Sequence, residues 1–136
     1  MSKVINGPVS LKGRIFPFSQ AVVAKGFVFV SGQLALGSQG NIVGETIGEQ
    51  TEQVIVNISA VLKDAGASLA DVVKTMVWIT RKEDFAGFNE VYAQYFMSTT
   101  PARATVCSDL MIPGALVEIE AIALIPEGRE SARAGV

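Results

Sequence analysis

Residues 101–125 read PARATVCSDLMIPGALVEIEAIALI, and this stretch decides the fold. Its centre, Ile112–Ala115, contains Pro113 and Gly114. Proline presets φ at the first central position of a turn, and glycine tolerates the positive φ that a type II turn needs at the second. The flanking residues alternate in the way that strands do. The stretch therefore predicts two strands, 102–107 and 117–124, joined by this turn.

The predicted strand pair has two different faces, because side chains alternate along a strand. One face is small or branched and suits burial under helices: Ala102, Ala104, Val106, Val117, Ile119, Ala121 and Ala123. The other face carries a cation and two carboxylates among apolar neighbours: Arg103, Thr105, Cys107, Glu118, Glu120, Ile122 and Leu124. Charges on an apolar face are costly to bury unless they are paired or used. This second face is where we expect chemistry.

Composition indicates one domain spanning residues 1–136, with 49% apolar and 18% charged residues. That is more hydrophobic than an average soluble domain, although no apolar run approaches the ~18 residues typical of a membrane span. No secretory leader is recognisable at the N-terminus. The single Cys107 cannot form an internal disulfide and fits a reducing cytoplasm. The excess apolar surface predicts subunit interfaces.

Charge and residue types exclude several kinds of function. A net charge of −2 without a basic run argues against nucleic acid as a partner. The chain contains no histidine, which excludes a Ser-His-Asp triad, and one cysteine cannot build a thiolate zinc site. We therefore expect no metal. Catalysis must rest on carboxylates, arginine, hydroxyls, backbone groups and water.

The remaining elements follow from periodicity and turn residues. The first half is predicted to hold an irregular lead-in over 1–17, a hairpin over 19–31 that turns at Lys25-Gly26, and a loop over 32–46, with or without a short strand at 41–43. A helix over 48–65, ended by Gly66, and a strand over 71–80 follow. The second helix is capped by Asp84 and runs to Phe96, and residues 126–136 form a flexible tail. This order predicts an α+β fold, a mixed sheet with both helices on one face. Because the strands are apolar on both faces, we expect an obligate, cyclic homo-oligomer.

Counting the strand ladder outward from Pro113-Gly114 puts Arg103 and Glu118 on the same face but about 20 Å apart. This predicts a site between subunits, with arginine from one chain and glutamate from the next. Other interpretations stay open. Arg103 can form a structural ion pair with Glu118 or Glu120, Cys107 can be a small buried residue, and Ser31-Gly32 can be an ordinary turn. The aromatic residues of 85–96 are expected to be core.

At these residues the chain resembles the RidA/YjgF-like family of reactive intermediate deaminases, over nearly its whole length. The matching segments are 17–21, 29–33, 50–57, 62–66, 85–92, 101–103 and 117–123. The resemblance implies a chorismate-mutase-like homotrimer with three inter-subunit clefts and no cofactor. It implies hydrolysis of enamines and imines, such as 2-aminoacrylate and 2-imino acids, to 2-oxo acids and ammonia.

The resemblance also implies residue roles. Arg103 should bind the substrate carboxylate, which suits a two-pronged guanidinium, and Glu118 should activate water. Phe18, Ser31, Gly32, Asn89 and Thr105 should complete the binding site.

Three departures point to a different branch of the family. Phe18 stands where tyrosine is usual, Thr105 stands where cysteine is usual, and the loop 97–100 is short. The alternatives are a pathway-specific deaminase of the 3-aminoacrylate or aminomuconate type, or a non-catalytic ligand-binding or chaperone-like trimer. A ribonuclease is disfavoured by the acidic balance and the missing histidine.

Overall fold

A computed structural model describes residues 2–127 of the chain as an α+β fold. The strands are β1 (Ser2–Ile5), β2 (Val9–Leu11), β3 (Arg14–Phe16), β4 (Ala21–Ala24), β5 (Phe27–Gln33), β6 (Val72–Ile79), β7 (Ala102–Cys107) and β8 (Val117–Leu124), and the helices are α1 (Ile47–Ala65) and α2 (Phe85–Phe96). Six strands form one sheet in the order β1-β4-β5-β8-β6-β7, and β2 and β3 form a separate hairpin. Both helices pack on one face of the six-stranded sheet, which confirms the predicted fold class.

Several local predictions are confirmed. The helix predicted over 48–65 is α1, and Gly66 ends it with φ 90° as expected. A capping box between Thr46 and Glu49, a feature not predicted from the sequence, starts the helix. The β4–β5 hairpin turns at Lys25 and Gly26, both with positive φ. None of the helices formed by residues 2–127 is long and apolar enough to cross a membrane.

Other local predictions are wrong. The irregular lead-in predicted for 1–17 is wrong over residues 2–17, the part that the structure describes, because β1 pairs with β4 at the edge of the sheet and β2 pairs with β3. The optional strand at 41–43 is only a single bridge between Leu36 and Ile42. Asp84 precedes α2 but makes no capping bond, because its carboxylate accepts a hydrogen bond from Arg81 Nε at 2.8 Å. Most of the predicted flexible tail, residues 128–136, lies outside the described residues.

The stretch 101–125 forms its turn but not its hairpin. Gly114 has φ 87°, and the Ala115 amide donates to the Ile112 carbonyl at 3.2 Å. However, β7 and β8 do not pair, because β6 lies between them, parallel to β7 and antiparallel to β8. A strand that is apolar on both faces, as β6 is, gains most by taking a central position with neighbours on both sides.

This topology changes which face each charged residue occupies. Arg103 lies opposite Thr75, which is 1% exposed beneath the helices, so Arg103 and Thr105 belong to the helix-covered face. Glu118 lies opposite Trp78, on the open face of the sheet. The prediction that Arg103 and Glu118 share a face is therefore wrong. A shift of one residue in phase moves every side chain of a strand to the other face.

The open face of the sheet carries exposed apolar side chains, as the sequence predicts. They belong to four strands, β1, β5, β7 and β8: Val4, Phe27, Phe29, Val106 and Leu124, each between 39% and 57% exposed. Large apolar side chains exposed together on one sheet face usually mark an interface.

A buried glutamine ties the turn at Gly114 to α1. Gln50 is 1% exposed, and its Nε2 donates to the carbonyls of Gly44 at 3.1 Å and Gly114 at 2.8 Å. Its Oε1 accepts from the Leu116 amide at 2.8 Å. One side chain therefore holds the connection that leads into β8.

We expect Gln50→Leu to destabilise the protein by about 2–4 kcal/mol, because it leaves buried backbone groups without partners. The melting temperature measured by circular dichroism should fall by about 5–15 °C. Gln94→Leu, at an exposed position of α2, is the matched control and should change little. Equal melting temperatures for the two variants would contradict this role.

Candidate active site

The guanidinium of Arg103 lies against the side chains of α2. Its Nη1 donates to Asn89 Oδ1 at 2.9 Å. Its central carbon lies 4.9, 5.4 and 5.9 Å from the ring centres of Tyr92, Phe88 and Phe85. Cation–π contacts of this kind orient a guanidinium without using its N–H donors. The arrangement leaves donors for a planar anion such as a carboxylate, which arginine binds through two parallel hydrogen bonds.

The ring beneath Arg103 is itself held in the core. Tyr92 is 7% exposed, and its hydroxyl shares a 2.8 Å hydrogen bond with the hydroxyl of Thr75. Burial raises the pKa of Tyr92, while the Thr75 hydrogen bond and the charge of Arg103 act in the opposite direction. The phenol therefore stays neutral near pH 7 and keeps its hydrogen bond.

Sequence reasoning missed this aromatic support, because it assigned the aromatic residues of 85–96 to the core. Phe85 is 45% exposed, so the core assignment is wrong for that ring. A signal was present in the spacing. Residues 85, 88, 89 and 92 lie three and four positions apart and share one helix face, which placed Asn89 among the rings.

Glu118, on β8, lies against a β-bulge in the neighbouring strand β5. The register with β8 jumps between Val30 and Gln33, so β5 has one extra residue at Ser31–Gly32. A Cβ atom added to Gly32 would overlap Oε2 of Glu118. The carboxylate therefore occupies the space that the missing side chain leaves free. Bulges re-aim side chains in this way and are frequent beside active sites.

The electrostatics of Glu118 suit proton transfer. Partial burial raises the pKa of this carboxyl, and the negative charge of Glu120, two residues along the same face, raises it further. A carboxyl with a raised pKa can accept a proton and return it near neutral pH more readily than an ordinary one.

The other residues expected at the site lie as follows. Ser31 Oγ donates to the Ser19 carbonyl at 2.6 Å, which ties β5 to the segment that follows Phe18. Phe18 is 50% exposed, with its ring 6.3 Å from that of Phe16. Thr105 Oγ1 is buried and, within residues 2–127, has no hydrogen-bond partner. Thr105 shares the helix-covered face of β7 with Arg103.

The residues thus form two separate groups in one chain. Arg103, Asn89 and Thr105 lie at the edge strand β7, whereas Glu118 and Gly32 lie on the open face between β5 and β8. Arg103 lies beside Thr75 of β6 and Glu118 lies beside Trp78 of the same strand. These two positions are three residues apart, which is about 10 Å along the strand. The predicted offset of 20 Å along the strands is therefore wrong. The two charged groups lie on opposite faces of the sheet instead of one face, so they cannot hold one small molecule within a chain.

Comparison with known proteins identifies the family. The family model Endoribonuclease L-PSP matches residues 12–125. The chain is 47% identical over 110 residues to a RutC family protein of Pyrococcus abyssi, covering 80% of this chain and 87% of that protein. It is 38% identical over 128 residues to the 2-iminobutanoate/2-iminopropanoate deaminase of Homo sapiens, covering 91% of this chain and 93% of the human protein.

A solved structure agrees with both the fold and the family. The crystal structure of E. coli TdcF with bound serine superposes with a TM-score of 0.78 at 36% identity, covering 90% of this chain and 98% of TdcF. With the family model, these likenesses extend over nearly all of the described residues. The chain therefore belongs to the Endoribonuclease L-PSP family, also known as YjgF/RidA, as the resemblance in its sequence indicated.

Proposed function

We propose that this protein hydrolyses 2-imino acids and their enamine tautomers to 2-oxo acids and ammonia. The observation that carries the proposal is the guanidinium of Arg103, oriented by Asn89 and the aromatic rings of α2 with donors left for a carboxylate. The human relative is named as a deaminase of such imines, and TdcF is described with bound serine, a small carboxylate ligand. Both support this class of substrate.

Arg103 and Glu118 would act in sequence on one substrate. Arg103 binds the carboxylate and holds the imine carbon in place. Glu118 takes a proton from water as the water oxygen attacks the carbon of the protonated imine, which forms a neutral carbinolamine. The carboxyl returns that proton to the nitrogen, and the carboxylate takes up the proton of the carbinolamine hydroxyl as the C–N bond breaks. The products are the 2-oxo acid and ammonia, and the proton left on Glu118 is released to solvent. General acid–base catalysis of this kind typically raises the reaction rate by roughly 10²–10⁴-fold.

The proposal includes a homotrimer, because one chain cannot bring the two groups together. In a ring, the edge strand β7 of one subunit would face the β5 bulge of the next, so that Arg103 and the neighbouring Glu118 share a cleft. The exposed apolar open face supports such an assembly. The free thiol of Cys107 supports a reducing compartment, and we place the protein in the cytoplasm.

The decisive assay generates 2-iminopropionate or 2-iminobutyrate with an amino-acid oxidase and traps it with semicarbazide. We expect the protein to suppress trapping and release the 2-oxo acid. Arg103→Ala should lose this activity at least about 100-fold, and Arg103→Lys should recover little, because lysine cannot make the two-pronged contact. Arg14→Ala, at an exposed position of β3, is the matched control.

Unchanged trapping with the wild-type protein, across several parent amino acids, would overturn the proposal. Binding of 2-oxo acids without turnover would then favour the non-catalytic, ligand-binding alternative. Turnover restricted to 3-aminoacrylate or an aminomuconate would assign the protein to a specific pathway.

The pKa of Glu118 gives a pH prediction. Glu118 accepts a proton only when it is ionised, so kcat/KM should fall as the pH drops through its raised pKa. Glu120→Gln removes the neighbouring charge that raises this pKa, so the acidic limb of the plot of kcat/KM against pH should move to lower pH. Glu90→Gln, exposed on α2, should leave the profile unchanged. A limb that stays in place in Glu120→Gln would contradict the role of Glu118 as the base.

A further inference from the structure

An apolar cavity of about 290 Å³ opens beside Arg103. Arg103 and Asn89 lie at its polar end. Its remaining walls come from the end of α2 and from the loop into β7: Tyr92, Ala93, Phe96, Met97, Thr100 and Pro101. A cavity with a cation and an amide at one end and hydrocarbon elsewhere is complementary to a carboxylate that carries an apolar tail.

We infer that this cavity is the specificity pocket for the side chain of the substrate, and that the protein prefers 2-imino acids with branched or long apolar side chains, such as the one derived from leucine. This deepens the proposed function and rests on it. The side-chain carbon of a 2-imino acid is bonded to C2, next to the carboxylate. A substrate held by Arg103 therefore has its side chain within reach of the walls that Arg103 itself helps to form.

The walls of the cavity are apolar where the side chain would lie. Phe96 and Tyr92 are 2% and 7% exposed and form the floor of the cavity, with ring centres 4.6 Å apart and ring planes tilted by 38°. Met97 is 69% exposed and forms an adaptable rim. Among residues 2–127, no acidic side chain lines the cavity, so none of these residues would favour the charged side chain of a basic imino acid there.

The size of the expected preference follows from the burial of hydrocarbon. Each buried methylene is worth about a fourfold change in an equilibrium or rate ratio. The leucine-derived imine has three more side-chain carbons than the alanine-derived imine. Because the cavity is open at the Met97 rim, burial is partial, and we expect a preference of about tenfold in kcat/KM.

The test compares leucine- and alanine-derived imines, generated by an amino-acid oxidase and trapped with semicarbazide, each rate normalised to its own trapping rate without the protein. The ratio of the two activities should be about ten. Ala93→Leu fills the cavity and should bring this ratio close to one. Ala86→Leu, exposed on α2 outside the cavity, should leave the ratio unchanged. Met97→Ser removes part of an exposed rim and should lower the ratio severalfold without affecting folding.

A binding measurement separates this inference from the proposed function. By calorimetry, 4-methyl-2-oxopentanoate should bind more tightly than pyruvate, and Ala93→Leu should remove the difference. Turnover of both imines with a ratio near one, unchanged in Met97→Ser, overturns the pocket and leaves the deaminase standing. No turnover, together with selective binding that is lost in Ala93→Leu, overturns the deaminase but supports the pocket. Loss of the oligomer in Ala93→Leu, with equal binding of the two oxo acids by the wild type, assigns the cavity to a second copy of the chain and overturns the inference.

Discussion

An equimolar mixture of Arg103→Ala and Glu118→Ala chains, refolded together, should recover about one quarter of the wild-type imine hydrolysis, although each variant alone is nearly inactive. The reason lies in the topology. Arg103 is on the helix-covered face at the edge strand β7, and Glu118 is on the open face of β8, with β6 between them. A site that uses both residues must therefore take them from two chains.

The expected fraction comes from random assembly around a ring. An interface is active only if the chain that supplies arginine carries the Glu118→Ala change and its neighbour carries the Arg103→Ala change, which occurs at about one interface in four. This fraction is the same for a ring of any size. It should peak at equal amounts and fall when either chain is in excess.

A control mixture measures the background activity of mixed oligomers that contain no intact inter-subunit site. Arg103→Ala chains mixed with chains that carry both changes contain no intact arginine, so they should stay inactive at every ratio. Activity in that mixture, or none in the complementary one at several ratios, would mean that the two residues do not act together in an inter-subunit site.

Features of the fold that depend on residues close together in the sequence could be predicted, and features that depend on distant residues could not. Thr46 and Gly66 bound α1 through contacts within a few residues, and these boundaries were predictable. The turn at Pro113-Gly114 is equally local and forms as expected. Which strand pairs with β7, however, depends on contacts between residues that are far apart in the sequence, because all of α2 lies between β6 and β7 in the chain. Nothing within 101–125 reveals that β6 inserts between its two strands.

The same limit applies to the candidate site. Arg103 and Glu118 could be singled out from the sequence, because a charged side chain on an apolar strand is costly to bury unless it is paired or takes part in binding or catalysis. Their true faces depend on a strand phase that the assumed hairpin set incorrectly. The bulge at Ser31–Gly32 has no local signature either, since a serine followed by a glycine is equally typical of a turn. The close approach of Gly32 to Glu118 becomes visible only when β5 and β8 are paired.

That close approach predicts a large and selective loss of activity in Gly32→Ala. The added Cβ would occupy the position of Oε2 of Glu118, so the carboxylate must swing away. Gly32 does not have positive φ, so the backbone tolerates alanine, and the displaced atoms are the end of a flexible side chain. We therefore expect kcat to fall about 100-fold, since a misplacement of about 1 Å can cost that much. The melting temperature should fall by only a few degrees.

A matched glycine shows whether the effect belongs to this position. Gly48→Ala, in the first turn of α1, adds a Cβ that meets Val91 at 3.6 Å, an ordinary van der Waals contact. It should keep full activity and gain about 0.5–1 kcal/mol of stability, because alanine is the better helix former.

The mechanism of the loss can be isolated with a double-mutant cycle. If alanine at position 32 acts by displacing the Glu118 carboxylate, it can do no further harm once that carboxylate is gone. Gly32→Ala combined with Glu118→Ala should then be as active as Glu118→Ala alone, a complete failure of additivity. A second 100-fold loss in the double variant would show instead that Gly32 serves the substrate directly, through its backbone or the space above it, with Glu118 only a neighbour.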